Sequence, residues 1–201
     1  MLQSIPVGFS RPVFESQSTF RAILSAMSRP GHPVSLPVLA QGPAGWSRSM
    51  TSLVLTLCDM ETPLWLDPGS CSPDALRFLR FHCGCPVIDE PAQAVFAVVS
   101  DSLAMPNLAD FALGSAEYPE KSATVLLASS LCASNGASFR LQGPGVENSL
   151  DMPQSWLPAG FARSWRGNGQ LFPCGVDVIL VGPDRIVGLP RTLKVEETTC
   201  M

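Results

Sequence analysis

The 201-residue chain carries little charge. Asp, Glu, Lys and Arg together make up 15% of it, and only two of its 13 basic residues, Lys121 and Lys194, are lysines. Lys and Arg cluster nowhere, and the formal net charge is −4. The sequence therefore lacks what a nucleic-acid binder uses to neutralise phosphates, and no nucleic-acid partner is expected. No uninterrupted apolar stretch approaches the roughly 20 residues of a membrane span, and Met1 to Phe14 lack the basic and apolar regions of a signal peptide. A cytoplasmic protein without a membrane association is expected.

Several chemical signatures are missing too. There is no Gly-Lys-Ser/Thr, and Gly167-Asn168-Gly169 lacks the third glycine of a dinucleotide fingerprint. Gly143-Pro144-Gly145 reads as a sharp turn, because Pro144 has no N–H to offer an anion. No Gly-x-Ser-x-Gly elbow exists, and a Ser–His pair has only His32 or His82 to draw on. Lys121 follows Glu120, and Lys194 precedes Glu196 and Glu197. Such surroundings favour the charged amine, not the neutral one a pyridoxal Schiff base needs. In His82-Cys83-Gly84-Cys85 one residue separates the cysteines, where paired zinc ligands take two to four. That run is read as a helix C-terminus, and no metal is expected. Seven cysteines in apolar contexts such as Leu57-Cys58 and Leu131-Cys132 suit structural thiols in a reducing compartment.

What is present is apolar: 46% of the residues, in a chain long enough for one generous domain. Phe20, Ile23, Leu24 and Met27 predict a helix over about 16–28 with those side chains inward, stopped by Arg29-Pro30-Gly31. Val34-Ser35-Leu36 reads as an edge strand. A helix over 49–59 is apolar on both faces, and Ser72-Pro73-Asp74 starts another that ends at Gly84. Strands are expected at Leu64–Leu66, Ala94–Ser100, Thr124–Leu131, Phe139–Leu141 and Val176–Val181. A short helix at Asn107–Leu113 and one over Gln154–Arg166 fall between them. The turn Gly182-Pro183-Asp184-Arg185 closes a hairpin, and 195–201 reads as a loose tail. The sum is one α/β domain over 1–201 with a mixed sheet flanked by helices.

Arginine is the candidate for chemistry. Arg77 and Arg80 share a helix face near His82, and Arg191 follows the last strand of the hairpin. A guanidinium fork suits the paired oxygens of a carboxylate, phosphonate or phosphate. Arg77, His82, Asp177 and Arg191 are accordingly the candidates for an anion pocket or a subunit interface, and no catalytic residue is assigned.

A collinear set of segments resembles the PhnH subunit family of the bacterial carbon–phosphorus lyase system. The set starts with Ser18-Thr19-Phe20-Arg21 and runs through Met27-Ser28-Arg29-Pro30-Gly31. It continues with Leu55-Thr56-Leu57-Cys58-Asp59, Thr62-Pro63-Leu64-Trp65-Leu66, Leu79-Arg80-Phe81-His82 and Ala123-Thr124-Val125-Leu126-Leu127. It ends with Leu141-Gln142-Gly143-Pro144-Gly145, Phe172-Pro173-Cys174-Gly175-Val176-Asp177 and Leu189-Pro190-Arg191-Thr192. The resemblance implies a fold similar to the large domain of pyridoxal-phosphate (PLP) transferases, without that cofactor. It implies a homodimer that joins PhnG, PhnI and PhnJ in a core complex. With PhnG, PhnI and PhnL, such subunits support transfer of the ribose triphosphate of MgATP onto a phosphonate with release of adenine. The radical cleavage that follows belongs to PhnJ, whose iron–sulfur cluster needs clustered cysteines absent here. Two other functions fit the residues: a cofactor-free hydrolase or transferase acting alone on a phosphorylated small molecule, and a small-anion binding module.

Overall fold

The computed structural model describes residues 4–132 and 136–198. In chain order it contains α1 (Pro12–Ser28), β1 (Val34–Ser35), α2 (Arg48–Leu57), β2 (Leu64–Leu66), α3 (Pro73–His82), β3 (Val87–Ile88) and β4 (Phe96–Val99). Then come β5 (Thr124–Ala128), β6 (Ser138–Gln142), β7 (Leu150–Pro153), α4 (Phe161–Gly169), β8 (Asp177–Val181), β9 (Arg185–Leu189) and β10 (Lys194–Glu197). Seven strands form one sheet in the order β1-β9-β8-β5-β4-β2-β3, and three form a second in the order β10-β6-β7. Strands β3, β2, β4, β5 and β8 are mutually parallel, while β9 and β1 add antiparallel pairs at one edge. The mixed sheet and the α/β class agree with the sequence.

The parallel strands are apolar on both faces because both are covered. Along β5, Val125 and Leu127 point into one cluster with Trp165, Leu141 and Met152, while Leu126 points into the other with Leu53, Leu79 and Ala26. Along β8, Val178 and Leu180 alternate with Ile179 and Val181 in the same way. Helices α1, α2 and α3 cover the second cluster; α4 and the small sheet cover the first. Full burial of a side chain as large as Trp165 contributes about 2–3 kcal/mol.

Local signals set the ends of α2 and α3. Ser47 and Ser72 accept from the N–H groups of Met50 and Ala75, and Pro73 occupies the first turn. Residues 49–54 of α2 are all buried, as its two apolar faces require.

Helix α1 departs from expectation. It starts at Pro12, and its buried face is Glu15, Thr19, Ala22, Ile23 and Ala26. Of the expected inward stripe only Ile23 is buried, while Phe20 and Leu24 are 45% and 52% exposed. The cause is close approach. A Cβ on Gly188 of β9 would stand 2.5 Å from the Ala26 carbonyl oxygen, so small side chains face the sheet and large ones face away.

Other boundaries shift as well. The span 154–166 splits into a 3-10 turn at Gln154–Trp156 and α4, whose N-cap Gly160 takes φ +79°. Asn107–Leu113 shrinks to a 3-10 turn at Leu108–Asp110, closed by reciprocal hydrogen bonds between Asn107 and Asp110. The tail expected from residue 195 is structured up to 197. Val195 pairs with Leu141 and is 4% exposed, so this strand is held by β6 and not by its own polar sequence.

Candidate functional site

Asp177 opens β8, and Arg191 lies two residues beyond β9. The antiparallel register, Val178 opposite Leu189, brings them together. The Arg191 backbone N–H and Nε donate to Asp177 Oδ1 at 2.7 and 3.2 Å, and Nη2 donates to Oδ2 at 2.6 Å. Nη1 reaches the carbonyls of Pro119 (3.0 Å) and Pro173 (3.4 Å). The ion pair is only 14% and 17% exposed. One guanidinium thus ties three loops to β8, and most of its five donors are taken internally.

Arg77 and His82 occupy α3. Arg77 Nη2 donates to Asp74 Oδ1 at 2.7 Å, an exposed pair one turn apart, and both residues line a small hollow beside Pro6 and Pro43. His82 Nε2 donates to the Pro6 carbonyl at 2.8 Å, and its ring lies 4.4 Å from Phe78 and 4.9 Å from Phe81. These contacts pin the chain ahead of α1 against α3. Of the four candidates only Asp177 and Arg191 are joined; Arg77 and His82 share α3 but bond to Asp74 and Pro6, and no hydrogen bond or ion pair links them to each other or to the Asp177–Arg191 pair among the described residues.

A hollow of about 650 Å³ lies alongside α4 and β10 and includes Arg191. Trp165, Leu193 and Val195 form an apolar floor, buried to 2% exposure or less for the first two, and the Trp165 indole donates to the Leu193 carbonyl at 2.7 Å. Arg166 and Lys194 line the same hollow, and Phe172 is 62% exposed at its edge. Sequence reasoning did not bring these residues together because helix, loop and strand supply them separately. The 3.6-residue spacing of Phe161, Ala162 and Trp165 was the available signal.

A second feature also went unread. Strand β2 is flanked by β3 on one side and β4 on the other, and the chain leaves β2 for β3 but β4 for β5. The carboxyl ends of β2 and β4 thus bracket a topological switch point, where open α/β sheets usually receive ligands. Here Asp67 fills it. Its fully buried carboxylate accepts from the N–H groups of Ser70 (2.8 Å), Ser100 (2.8 Å) and Asp101 (3.0 Å), and from Ser100 Oγ at both oxygens. Burial pushes its pKa up, but the hydrogen bonds from Ser70, Asp101 and Ser100 outweigh that and hold it below the ordinary aspartate value. Backbone donors that would serve an external anion are committed to an internal one. The Asp67-Pro68-Gly69 run after an apolar strand was the only hint in the sequence.

Cys58, Cys83 and Cys85 are buried together in the second cluster. Burial, then Cys85 and Asp59, raises the Cys58 pKa; the hydrogen bond between Cys83 and Cys85 raises the former and lowers the latter. Among the described residues no group of three His, Cys, Asp or Glu side chains has metal-holding geometry. Leu131 is buried as expected, but Cys132 is exposed, because β5 ends at Ala128 and the chain turns at Leu131 with φ +47°. No described helix is long and apolar enough to cross a membrane.

The pattern of a family described as bacterial phosphonate metabolism protein (PhnH) matches residues 7–196. One relative, from Rhizobium meliloti, is 36% identical over 188 residues and carries the name alpha-D-ribose 1-methylphosphonate 5-triphosphate synthase subunit PhnH. That match covers 94% of each chain. Another, from Stutzerimonas stutzeri, is 32% identical over 180 residues, covering 89% of this chain and 85% of its own. It is named a putative C-P lyase subunit protein, HtxG.

Proposed function

Since the chain belongs to the PhnH family of bacterial phosphonate metabolism proteins, we propose that it is an accessory subunit of a carbon–phosphorus lyase core complex. The observation that carries this reading is the 36% identity to a named synthase subunit over 94% of both chains. In it the chain works with PhnG, PhnI and PhnJ, assisted by PhnL, and supports transfer of the ribose triphosphate of the substrate MgATP onto a phosphonate with release of adenine. The chain itself binds no cofactor, acts in the cytoplasm and forms a homodimer.

The surface supports a role in assembly. Val13, Phe20 and Leu24 recur along one exposed face of α1, where a subunit that works alone has no use for them. The candidate residues Arg77, His82, Asp177 and Arg191 act in this reading through the loops they hold, which shape the surface offered to companions. The five parallel strands with helices on their faces support kinship with the large domain of PLP transferases as part of the same reading.

Co-expression of the tagged chain with PhnG, PhnI and PhnJ tests the proposal. Stoichiometric co-elution of all four on size-exclusion chromatography is expected. A chain that elutes alone under conditions where the other three assemble overturns it. Light scattering on the isolated chain tests the dimer, and a monomeric mass at micromolar concentration counts against that part.

A further inference from the structure

Two thiols are held together at the end of α3. Cys83 is its C-cap, and Cys85 follows after one glycine. The N–H groups of Cys83 and Gly84 both donate to the Leu79 carbonyl at 2.9 Å, and the Leu64 N–H of β2 donates to the Pro86 carbonyl at 2.8 Å. The backbone is thus fixed on both sides of the pair. Gly84 takes φ +65°, a left-handed conformation that costs glycine nothing sterically. Two residues of extended chain span about 7 Å, the limit a disulfide can bridge, and the fold-back at Gly84 brings the flanking Cα atoms inside it.

The two side chains meet. Cys83 donates a hydrogen bond to the Cys85 sulfur, which lowers the Cys85 pKa and raises that of Cys83, while burial and Asp59 oppose the lowering. One sulfur is therefore the better nucleophile, and the other is a protonated neighbour in contact with it. Both are free thiols, 9% and 7% exposed. The cover over the glycine between them is thin. A Cβ on Gly84 would stand 3.1 Å from Met60 Cγ, and Met60 is itself 77% exposed. A small oxidant needs only that one flexible side chain to move, whereas a bulky one is kept out by the packed cluster. Cys58, the third thiol here, comes from the end of α2.

We propose that Cys83 and Cys85 form a peroxide-reactive dithiol site, which closes to an intramolecular disulfide across Gly84 and is reopened by thiol reductants. The Cys85 thiolate attacks one oxygen of hydrogen peroxide: the S–O bond forms, the O–O bond breaks, and the departing hydroxide takes a proton from solvent to become water. Cys85 is now a sulfenic acid. The Cys83 sulfur attacks the Cys85 sulfur, the S–S bond forms as the S–O bond breaks, and the hydroxide leaves with the Cys83 proton as a second water. Two thiols lose two electrons in all, and one peroxide gains them. The crosslink ties the end of α3 to the approach to β3 and stops oxidation short of the irreversible sulfinic acid. The site uses this chain's residues alone and holds whether or not the chain assembles with companions.

Peptide mapping by mass spectrometry tests the site. The reduced, native full chain is treated with one equivalent of hydrogen peroxide, quenched with catalase and alkylated in denaturant. The peptide carrying Cys83 and Cys85 should escape alkylation and be two hydrogens lighter, and dithiothreitol should restore both thiols. Cys83→Ser should leave Cys85 as a sulfenic acid that dimedone labels. Cys85→Ser should form no disulfide, and dimedone should label its Cys83 about tenfold more slowly than it labels Cys85 in the first variant. Cys58→Ser should leave the disulfide unchanged. The wild-type map stands without any variant, so a substitution that disturbs the fold does not remove the test.

Alkylation of both Cys83 and Cys85 in the treated wild-type chain overturns the proposal, as does a disulfide joining either of them to Cys58. Oxidation confined to exposed Cys71 and Cys132 does the same. So does equal dimedone labelling of the two single variants, which would deprive Cys85 of its part as the attacking sulfur. Co-elution with companion subunits is read separately on the reduced chain, so failure of either reading leaves the other standing.

Discussion

Gly188 of β9 lies directly beneath Ala26 of α1: a methyl group on the glycine would stand 2.5 Å from the Ala26 carbonyl oxygen and 2.7 Å from its carbon. Both neighbours are backbone, so no side chain can swing aside. Gly188→Ala should force α1 off the sheet and destabilise the fold by about 1–3 kcal/mol, the usual penalty of an overfilled core. Urea denaturation measures it. An unchanged midpoint would show that α1 is free to shift, contrary to this packing.

Asp67→Asn should be more damaging than its conservative chemistry suggests. The amide nitrogen cannot accept, so of the N–H donors of Ser70, Ser100 and Asp101 at least one loses its partner, at about 1–3 kcal/mol. The pH dependence has a definite sign. A carboxyl whose folded pKa is below its unfolded one stabilises the fold above the unfolded value and loses that contribution as pH falls through the folded one. Thermal melts from pH 7 down to pH 2 should therefore show an acid-side decline that is shallower in Asp67→Asn. Parallel curves would remove the link to Asp67.

Arg191→Lys keeps the charge but discards the fork. The three donors of a lysine ammonium radiate from one nitrogen and cannot span two carboxylate oxygens and two carbonyls, so the loops at 119, 173 and 191 should loosen together. The expected loss is about 1–2 kcal/mol, with faster amide hydrogen exchange in all three loops. Exchange accelerated in only one of them would mean that Arg191 does not join them.

Thiol reactivity should sort the cysteines by environment. Exposed Cys71 and Cys132 should react with Ellman's reagent within seconds in the native protein, and half-buried Cys174 more slowly. Among the buried three, Cys85 should react ahead of Cys58 and Cys83, whose pKa values are raised. Mass mapping after timed labelling reads the order. Cys58 or Cys83 reacting as fast as Cys71 would contradict the packing of the second cluster.

The parallel strands β2, β4, β5 and β8 were legible in the sequence because burial on two faces writes itself as an unbroken apolar run, as in Val125-Leu126-Leu127. Helix α3 was legible because Ser72, Pro73 and Gly84 act locally. The facing of α1 was not: Phe20 and Leu24 outweigh Ala22 and Ala26 in hydrophobicity, and the deciding residue, Gly188, lies far along the chain. Strands β3, β7 and β10 are short or polar and owe their existence to partners. Of the candidate residues, Asp177 and Arg191 are brought into contact by hairpin register, whereas His82 bonds the amino-terminal segment and Arg77 bonds Asp74 of its own helix. The contribution of Asp67 follows from strand order, which only the assembled sheet reveals.

The lateral rims of the large sheet have a consequence for recruitment. Its outermost strands, β1 and β3, are two residues each, and Pro33, Pro37 and Pro86 flank them. Rims so brief and so poor in free amides cannot template a ribbon from another polypeptide. At these two rims, association by side-chain surfaces is therefore favoured over threading of an extended tail.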